Sequence, residues 1–444
     1  MSNQLMAQKK TNYHVIGIGI GPANLGLAAL LTKAEGVTSL FFDESPEFQW
    51  HPGMLIEGAD LQVPFLADLV TMADPTSPYS FLNYLSSQGR LHAFFFFNRF
   101  DIPRREYNYY ARWTADQLHN CLFGRRVTDV TYDQGCYCVQ VLDQETKVET
   151  VYYADHIVVG TGTKPLIPEP LQGHPPEDVL HTSQYVMQED SIAGAGSVLI
   201  AGSGQSAAEV FLELLQKDDR PELHWFTRSS GFFQLESGKL GQEIFSPDYI
   251  NYFHQLPLER RLEELPNLTQ LRNGVEESTL HKIYDVLYHR TAGGYSSGAC
   301  IQANTEVENI TANSDSSYTV TLRQHQQEET FDVTVDRVIL GTGYKPDVPE
   351  WLDVLTKDAN REGDGWLKIN RRFDVSFPDE RTGRLYTLTD IVHSHGAGAT
   401  NLALAVHRNA TIINDIAGRT VYKETGSNVF QRFGAPESVD KGAE

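Results

Sequence analysis

Apolar residues along this chain come in short unbroken runs, each followed by glycines and then by apolar positions at helical spacing. Tyr13 to Ile18 reads as a buried strand and Leu25 to Leu31 as a helix, with Gly17, Gly19, Gly21 and Pro22 between them. VIGIGIGPANLGLAALL is long enough to suggest a membrane span, but its glycines, Pro22 and Asn24 break it, so a strand, a tight turn and a helix is the better reading. Such a turn lets the backbone approach a pyrophosphate while the helix start directs amides and its positive dipole end at it. A second strand, in LFFDES, ends at Asp43, where a carboxylate suits a ribose diol. Pro22 stands where a third glycine is usual.

The same pattern returns in SVLIAGSGQSAAEVFLELL, from Ser197 to Leu215, followed by the strand LHWFTR. At one constant offset Gly17 maps onto Gly202, Gly19 onto Gly204, Pro22 onto Ala207 and Asp43 onto Arg228. A guanidinium at the last position suits a 2′-phosphate, so the first unit is assigned FAD and the second NADPH. ADHIVVGTGTKP and VDRVILGTGYKP read as paired crossings between the two units. The expected fold is therefore α/β, with two Rossmann-like dinucleotide-binding domains, the NADPH domain inserted into the FAD domain, and a small, mainly helical substrate region. FAD-binding sequence is placed at 1–190 and 330–425, and the NADPH unit at 191–329 with a substrate-contacting segment near 240–290. Residues 426–444 are expected to form a flexible tail.

Composition narrows the partners. The chain has 444 residues and a net charge of −22, which disfavours nucleic acid and anionic membrane surfaces. Its four cysteines form no CxxC pair, which argues against a disulfide framework and against a flavin disulfide reductase. The opening residues have no apolar core of signal-peptide length, and a cytoplasmic location is expected. AFFFFNRF, from Ala93 to Phe100, reads as a buried strand or wall, and RREYNYYARW as a helix with its aromatic positions inward. Cys136 and Cys138 share one face of a strand, as small core residues.

The motifs GIGIGPANLGLAAL, FQWHPGM, DLVTMADPTSPYSFLNYL, GSGQSAAEVF, QEIFSP, GTGYKP and HSHG resemble those of the flavin-dependent N-hydroxylating monooxygenases of siderophore biosynthesis. In that family a proline at the position of Pro22 is usual. The resemblance implies that NADPH reduces FAD, that molecular oxygen then gives a flavin hydroperoxide, and that a substrate amine takes the distal oxygen. It implies a homo-oligomer, a tetramer. It places Trp50, His51 and Met54 against the flavin, and Gln62 where oxygen is activated, making Gln62 and Met54 the catalytic candidates. Gln205, Ser206 and Tyr344 join the cofactor set, and the amides around Thr400, Asn401 and Leu402 face the electron-rich flavin edge. Gln242 and Asn273 match positions that hold the substrate chain. His393 and His395 lack accompanying carboxylates or cysteines, so no metal is expected.

The departures from the family pattern indicate the substrate. Relatives acting on lysine or ornithine carry a lysine where this chain has Ala67, and tend to carry serine at Ala403; that lysine pairs with the substrate carboxylate. A buried carboxylate without a cation is costly, whereas an aliphatic diamine has none to satisfy. Putrescine is placed before cadaverine on overall resemblance, with Asp390 a candidate for the distal ammonium. The alternatives are an L-lysine or L-ornithine N-monooxygenase and a non-catalytic dinucleotide-binding sensor.

Overall fold

The computed structural model describes residues 12–217, 221–424, 426 and 429–435. Strand Asn12–Ile18 is fully buried from Val15 onward and lies parallel to Ser39–Phe42 on one side and to Glu149–Val159 on the other. Cys121–Leu122 extends the sheet beyond Ser39–Phe42, and the hairpin Arg125–Asp133 and Cys136–Asp143 extends it antiparallel at the other edge. The seventh strand, Leu385–Thr387, pairs in parallel with the end of Glu149–Val159. That pairing brings the C-terminal part of the chain back to the first unit and leaves the second unit looped out between. Helices Pro22–Leu31 and Leu402–Ala417 pack on each other, with Asn409 Nδ2 donating to Ala23 O at 2.8 Å.

The second sheet has five strands, all parallel, in the order Val179–His181, Arg337–Leu340, Ser197–Ala201, Glu222–Phe226, Ala299–Gln302. It reaches past both limits of the expected 191–329 span. Each Gly-Thr-Gly sequence follows a strand that neighbours the glycine-turn strand of its own sheet: Glu149–Val159 beside Asn12–Ile18, and Arg337–Leu340 beside Ser197–Ala201. The crossings themselves are the next three residues, Thr163–Pro165 and Tyr344–Pro346, which pair antiparallel. An antiparallel set, Thr305–Ala312, Tyr318–Gln324 and Glu329–Val335, covers part of the second sheet.

The region near 240–290 divides between the two units. Helices Pro247–Gln255 and Leu258–Glu264 pack against Val392–His395 through a core that includes Tyr249, Phe253, Leu268 and Leu271, whereas Glu277–Thr291 packs on Gln205–Gln216. Of the tail expected to be flexible, 427–428 and 436–444 lie outside the described residues, but 429–435 is held in place. The Phe430 and Gln431 amides donate to the Glu243 carboxylate at 3.1 and 2.9 Å, and Phe433 lies edge-on to Tyr249.

Two local expectations are overturned. Leu91–Phe97 is a helix with no buried residue, because only Phe94 packs against the core, between Phe65 and Phe81. Cys136 and Cys138 do share a face, but the core face of that strand carries Tyr137, Val139 and Val141, the bulkier side chains. Among the described residues no helix is long and apolar enough to cross a membrane.

Candidate dinucleotide and substrate site

The two glycine turns are shaped by what lies close behind them. Gly19 has φ +83°, and a Cβ there would sit 2.6 Å from Gly160 O; Gly202 has φ +123°, and a Cβ would sit 2.3 Å from Gly341 O. Only glycine tolerates both the conformation and the approach. Gly17 is closed by the Phe41 ring, 2.1 Å from a built Cβ. Gly21 and Gly204 differ, since a Cβ on either meets nothing within 4 Å. Each is the N-cap of the following helix and provides no side-chain cap, so the first-turn amides face open space of the kind a pyrophosphate fills. The structure thus pairs Gly19 with Gly202 and Gly21 with Gly204, correcting the constant offset that set Gly17 against Gly202 and Gly19 against Gly204, and the fit for a dinucleotide is the same in both units, with Pro22 at the first helical turn, where its missing N–H costs nothing. Asp43 closes the first turn, accepting from the Ile20 amide at 2.7 Å and the Ser45 amide at 2.8 Å.

Between the two sheets lies a cavity of about 1050 Å³. From the first unit it is lined by Trp50, His51, Met54 and Gln62, and from the C-terminal segment by Thr400, Asn401 and Leu402. The second unit contributes Gly202, Gly204, Gln205, Ser206, Arg228 and Tyr344, and the helical region contributes Gln242 and Asn273. Residues drawn from most of the chain length therefore share one space. Arg228 stands two residues beyond strand Glu222–Phe226 with its side chain 77% exposed, 3.8 Å from Glu306.

Several candidates behave differently from expectation. Asp390 is exposed, with φ 56°, and is not among the residues lining the cavity. Ala67 is buried, its amide turned to Pro64 O, and is likewise absent from the lining. The Gln205 amide is fully engaged: Nε2 donates to Glu209 and Thr279, and Oε1 accepts from the Glu276 amide, so its side chain ties two helices together. The Asn401 amide donates to Gly398 O, and its side chain caps the Ala403 and Leu404 amides, which takes Asn401 out of the set of amides expected to face the flavin edge. His393 Nε2 donates to Leu367 O at 2.9 Å, since a carbonyl can only accept. Among the described residues no group of three or more His, Cys, Asp or Glu could hold a metal ion.

The imidazoles beside the cavity are kept neutral. Burial, reinforced by Arg104, lowers the His51 pKa from its ordinary value to about 4, and burial lowers that of His181 to about 4. His181 Nδ1 accepts from the Ser183 amide, so Nε2–H donates to Gly343 O at 3.0 Å, next to Tyr344. Tyr344 in turn lies edge-on to both rings. Because both folded pKa values lie below the unfolded one, the unfolded chain binds more protons between pH 4 and 6.5. Thermal midpoints measured against pH are therefore expected to be level above pH 7 and to fall steadily as pH drops from 6.5 towards 4. A midpoint that stays constant down to pH 5 would show that these rings are not held neutral.

The sequence reading missed the pair that braces this site. Arg104, at the start of helix Arg104–Ala115, forms two hydrogen bonds to Glu209, at 2.8 and 2.7 Å, and a third to Met54 O at 2.9 Å. Both side chains are buried and both line the cavity. Arg272, also at the cavity, is a second unforeseen cation; burial lowers its pKa, and among the described residues no ion pair engages it. No local motif announces either arginine.

Comparison with known proteins places this arrangement. Residues 11–346 match the family described as L-lysine 6-monooxygenase/L-ornithine 5-monooxygenase. The chain is 37% identical to a putrescine N-hydroxylase of Shewanella oneidensis, over 96% of this chain and 84% of that protein. The FAD-bound cadaverine monooxygenase of the desferrioxamine pathway of Erwinia amylovora superposes with a TM-score of 0.91 at 34% identity, covering 96% of this chain and all of that one. An ornithine N-hydroxylase of Kutzneria, solved with reduced FAD, NADP⁺ and ornithine, gives a TM-score of 0.85 at 26% identity, covering 91% and 99%.

Proposed function

Since the chain belongs to the L-lysine 6-monooxygenase/L-ornithine 5-monooxygenase family, and is thus a flavin-dependent N-hydroxylating monooxygenase that uses FAD and NADPH, we propose that its substrate is an aliphatic diamine. One terminal amine is hydroxylated at the expense of NADPH and molecular oxygen, giving NADP⁺, water and an N-hydroxydiamine for a hydroxamate siderophore. Putrescine is placed first and cadaverine second. FAD supplies the activated oxygen atom when bound and reduced.

The observation that carries the diamine reading is the orientation of Gln242. A carbonyl can only accept, so the atom 2.7 Å from Glu236 O is Nε2, and Oε1 is the atom Gln242 has left to offer the cavity it lines. An acceptor held this way suits the distal ammonium of a diamine, whereas a carboxylate could use only the second Nε2 hydrogen. At the reacting end the amine must be neutral, and a free alkylamine has a pKa of about 10.4. The apolar wall of Trp50, Met54 and Leu61 disfavours the protonated form and excludes water. Gln62, beside that wall, is read as the residue that orients the reacting atoms, and Asn273 as a second contact to the substrate chain. The assembly is read as a homo-oligomer, a tetramer as in the family.

Gln242→Ala tests the carrying observation. Loss of one charge-assisted hydrogen bond, about 1.5–3 kcal/mol, should raise the KM for putrescine by roughly 10- to 100-fold and change kcat much less. Equal KM values for the variant and the parent protein, measured by hydroxylamine formation, would remove Gln242 from the substrate site. One observation favours a second reading, an L-lysine or L-ornithine N-monooxygenase: Arg272 is a cavity cation able to replace the missing lysine. That reading requires amino-acid turnover to exceed diamine turnover.

A further inference from the structure

Away from the cavity, one group of exposed apolar side chains stands together on the surface. Helix Leu91–Phe97 projects Phe95 and Phe96, 72% and 79% exposed, with Leu91, Phe97 and Phe100 beside them and Leu82 alongside. Isolated exposed apolar residues are ordinary, but a contiguous group of phenyl rings on a folded surface is not. Next to the protruding rings lies a groove of about 350 Å³ floored by Phe65 and Phe94, with Phe95 and Phe100 among its walls. A ring standing clear of the surface therefore sits beside an apolar groove that could receive a ring.

We propose that this face is where a second copy of the chain docks about a two-fold axis, with Phe96 of each copy entering the groove of the other. Such an interface uses the same patch on both copies, so a knob and a groove side by side satisfy each other across the axis. The charges at the rim are already paired within the chain: Arg90 with Glu106, and Arg99 with Asp60 and Asp101. They neither call for a charged partner nor set one copy against another. The net charge of −22 opposes an anionic lipid surface as occupant. Aromatic side chains bury about 150–250 Å² each, so this group offers roughly 600 Å² per copy, close to the ~800 Å² each partner gives to a stable interface.

The inference deepens the homo-oligomeric reading and does not depend on which amine is hydroxylated. Its test is the mass in solution of the full-length holoprotein and of its Phe96→Glu and Phe96→Ala variants, each checked for the flavin spectrum and for reduction by NADPH. The expected result is an assembled parent protein and a Phe96→Glu variant one two-fold step smaller, with both checks unchanged and Phe96→Ala shifted in the same direction. An assembled parent with both variants equally assembled would overturn this face while leaving the oligomer standing. A parent that is monomeric at micromolar concentration would overturn both. Binding of a monomeric parent, but not of Phe96→Glu, to phosphatidylcholine vesicles would assign the face to a lipid surface and likewise overturn the proposal.

Discussion

Glu209→Ala is expected to destabilise the protein by about 3–5 kcal/mol, because it leaves the Arg104 guanidinium buried without its counter-charge. The pair is two-pronged, at 2.8 and 2.7 Å, with Arg104 only 9% and Glu209 only 6% exposed, so water cannot replace the lost partner. It also joins the two units: Arg104 opens helix Arg104–Ala115 of the first, and Glu209 lies in helix Gln205–Gln216 of the second. Arg104 reaches on to Met54 O, directly under the cavity. The variant should therefore lose coupling between NADPH consumption and hydroxylation as well as stability. Chemical denaturation of the parent, both single variants and the Arg104→Met/Glu209→Leu double variant provides the check. The double variant should recover most of the stability, since apolar packing can replace a buried pair, but not the coupling. A loss below 1 kcal/mol in Glu209→Ala would mean that water reaches the pair.

Why this pair escaped the sequence reading while the glycine turns did not is a matter of locality. Strand, turn and helix are dictated by residues within one short stretch, so Gly17 to Leu31 and Gly202 to Leu215 announce themselves, and their repetition announces two nucleotide units. Asp43 stands just beyond its strand as read, but its carboxylate accepts from the Ile20 and Ser45 amides, contacts that its position in the sequence does not reveal. Arg104 and Glu209 are brought together only by the docking of one unit on the other, and neither carries a pattern that says so. Asp390 was assigned on charge alone, and the left-handed turn that keeps it exposed is invisible in composition. AFFFFNRF was read as buried because apolar residues usually are. Apart from Phe94 its rings point outward, and the surface that would cover them does not belong to the same copy in the reading proposed above. The crossing segments ADHIVVGTGTKP and VDRVILGTGYKP do hold the paired residues Thr163–Pro165 and Tyr344–Pro346, but the unit boundaries slipped because Val179–His181 and Arg337–Leu340, which lie outside the expected span, join the second sheet through long-range pairing.

The second large effect concerns substrate choice. A lysine or ornithine bound in this cavity brings a carboxylate to a place where Arg104 is already taken by Glu209 and Gln242 offers an oxygen acceptor. Leaving a buried carboxylate unpaired costs about 3–5 kcal/mol, and 1.36 kcal/mol is a factor of ten in rate, so diamines should be preferred by at least about 100-fold in kcat/KM. The one cation that could cancel this preference is Arg272. Its desolvated position means that pairing with a carboxylate would be rewarded if the substrate brought one.

The most direct measurement is therefore hydroxylamine formation alongside NADPH consumption by the purified flavoprotein, with putrescine, cadaverine, lysine and ornithine at equal concentrations. The account predicts hydroxylated product from the diamines, in step with NADPH consumption, and at least 100-fold less from the two amino acids. Hydroxylation of lysine or ornithine at rates equal to or above those of the diamines would contradict it and transfer the substrate assignment to Arg272.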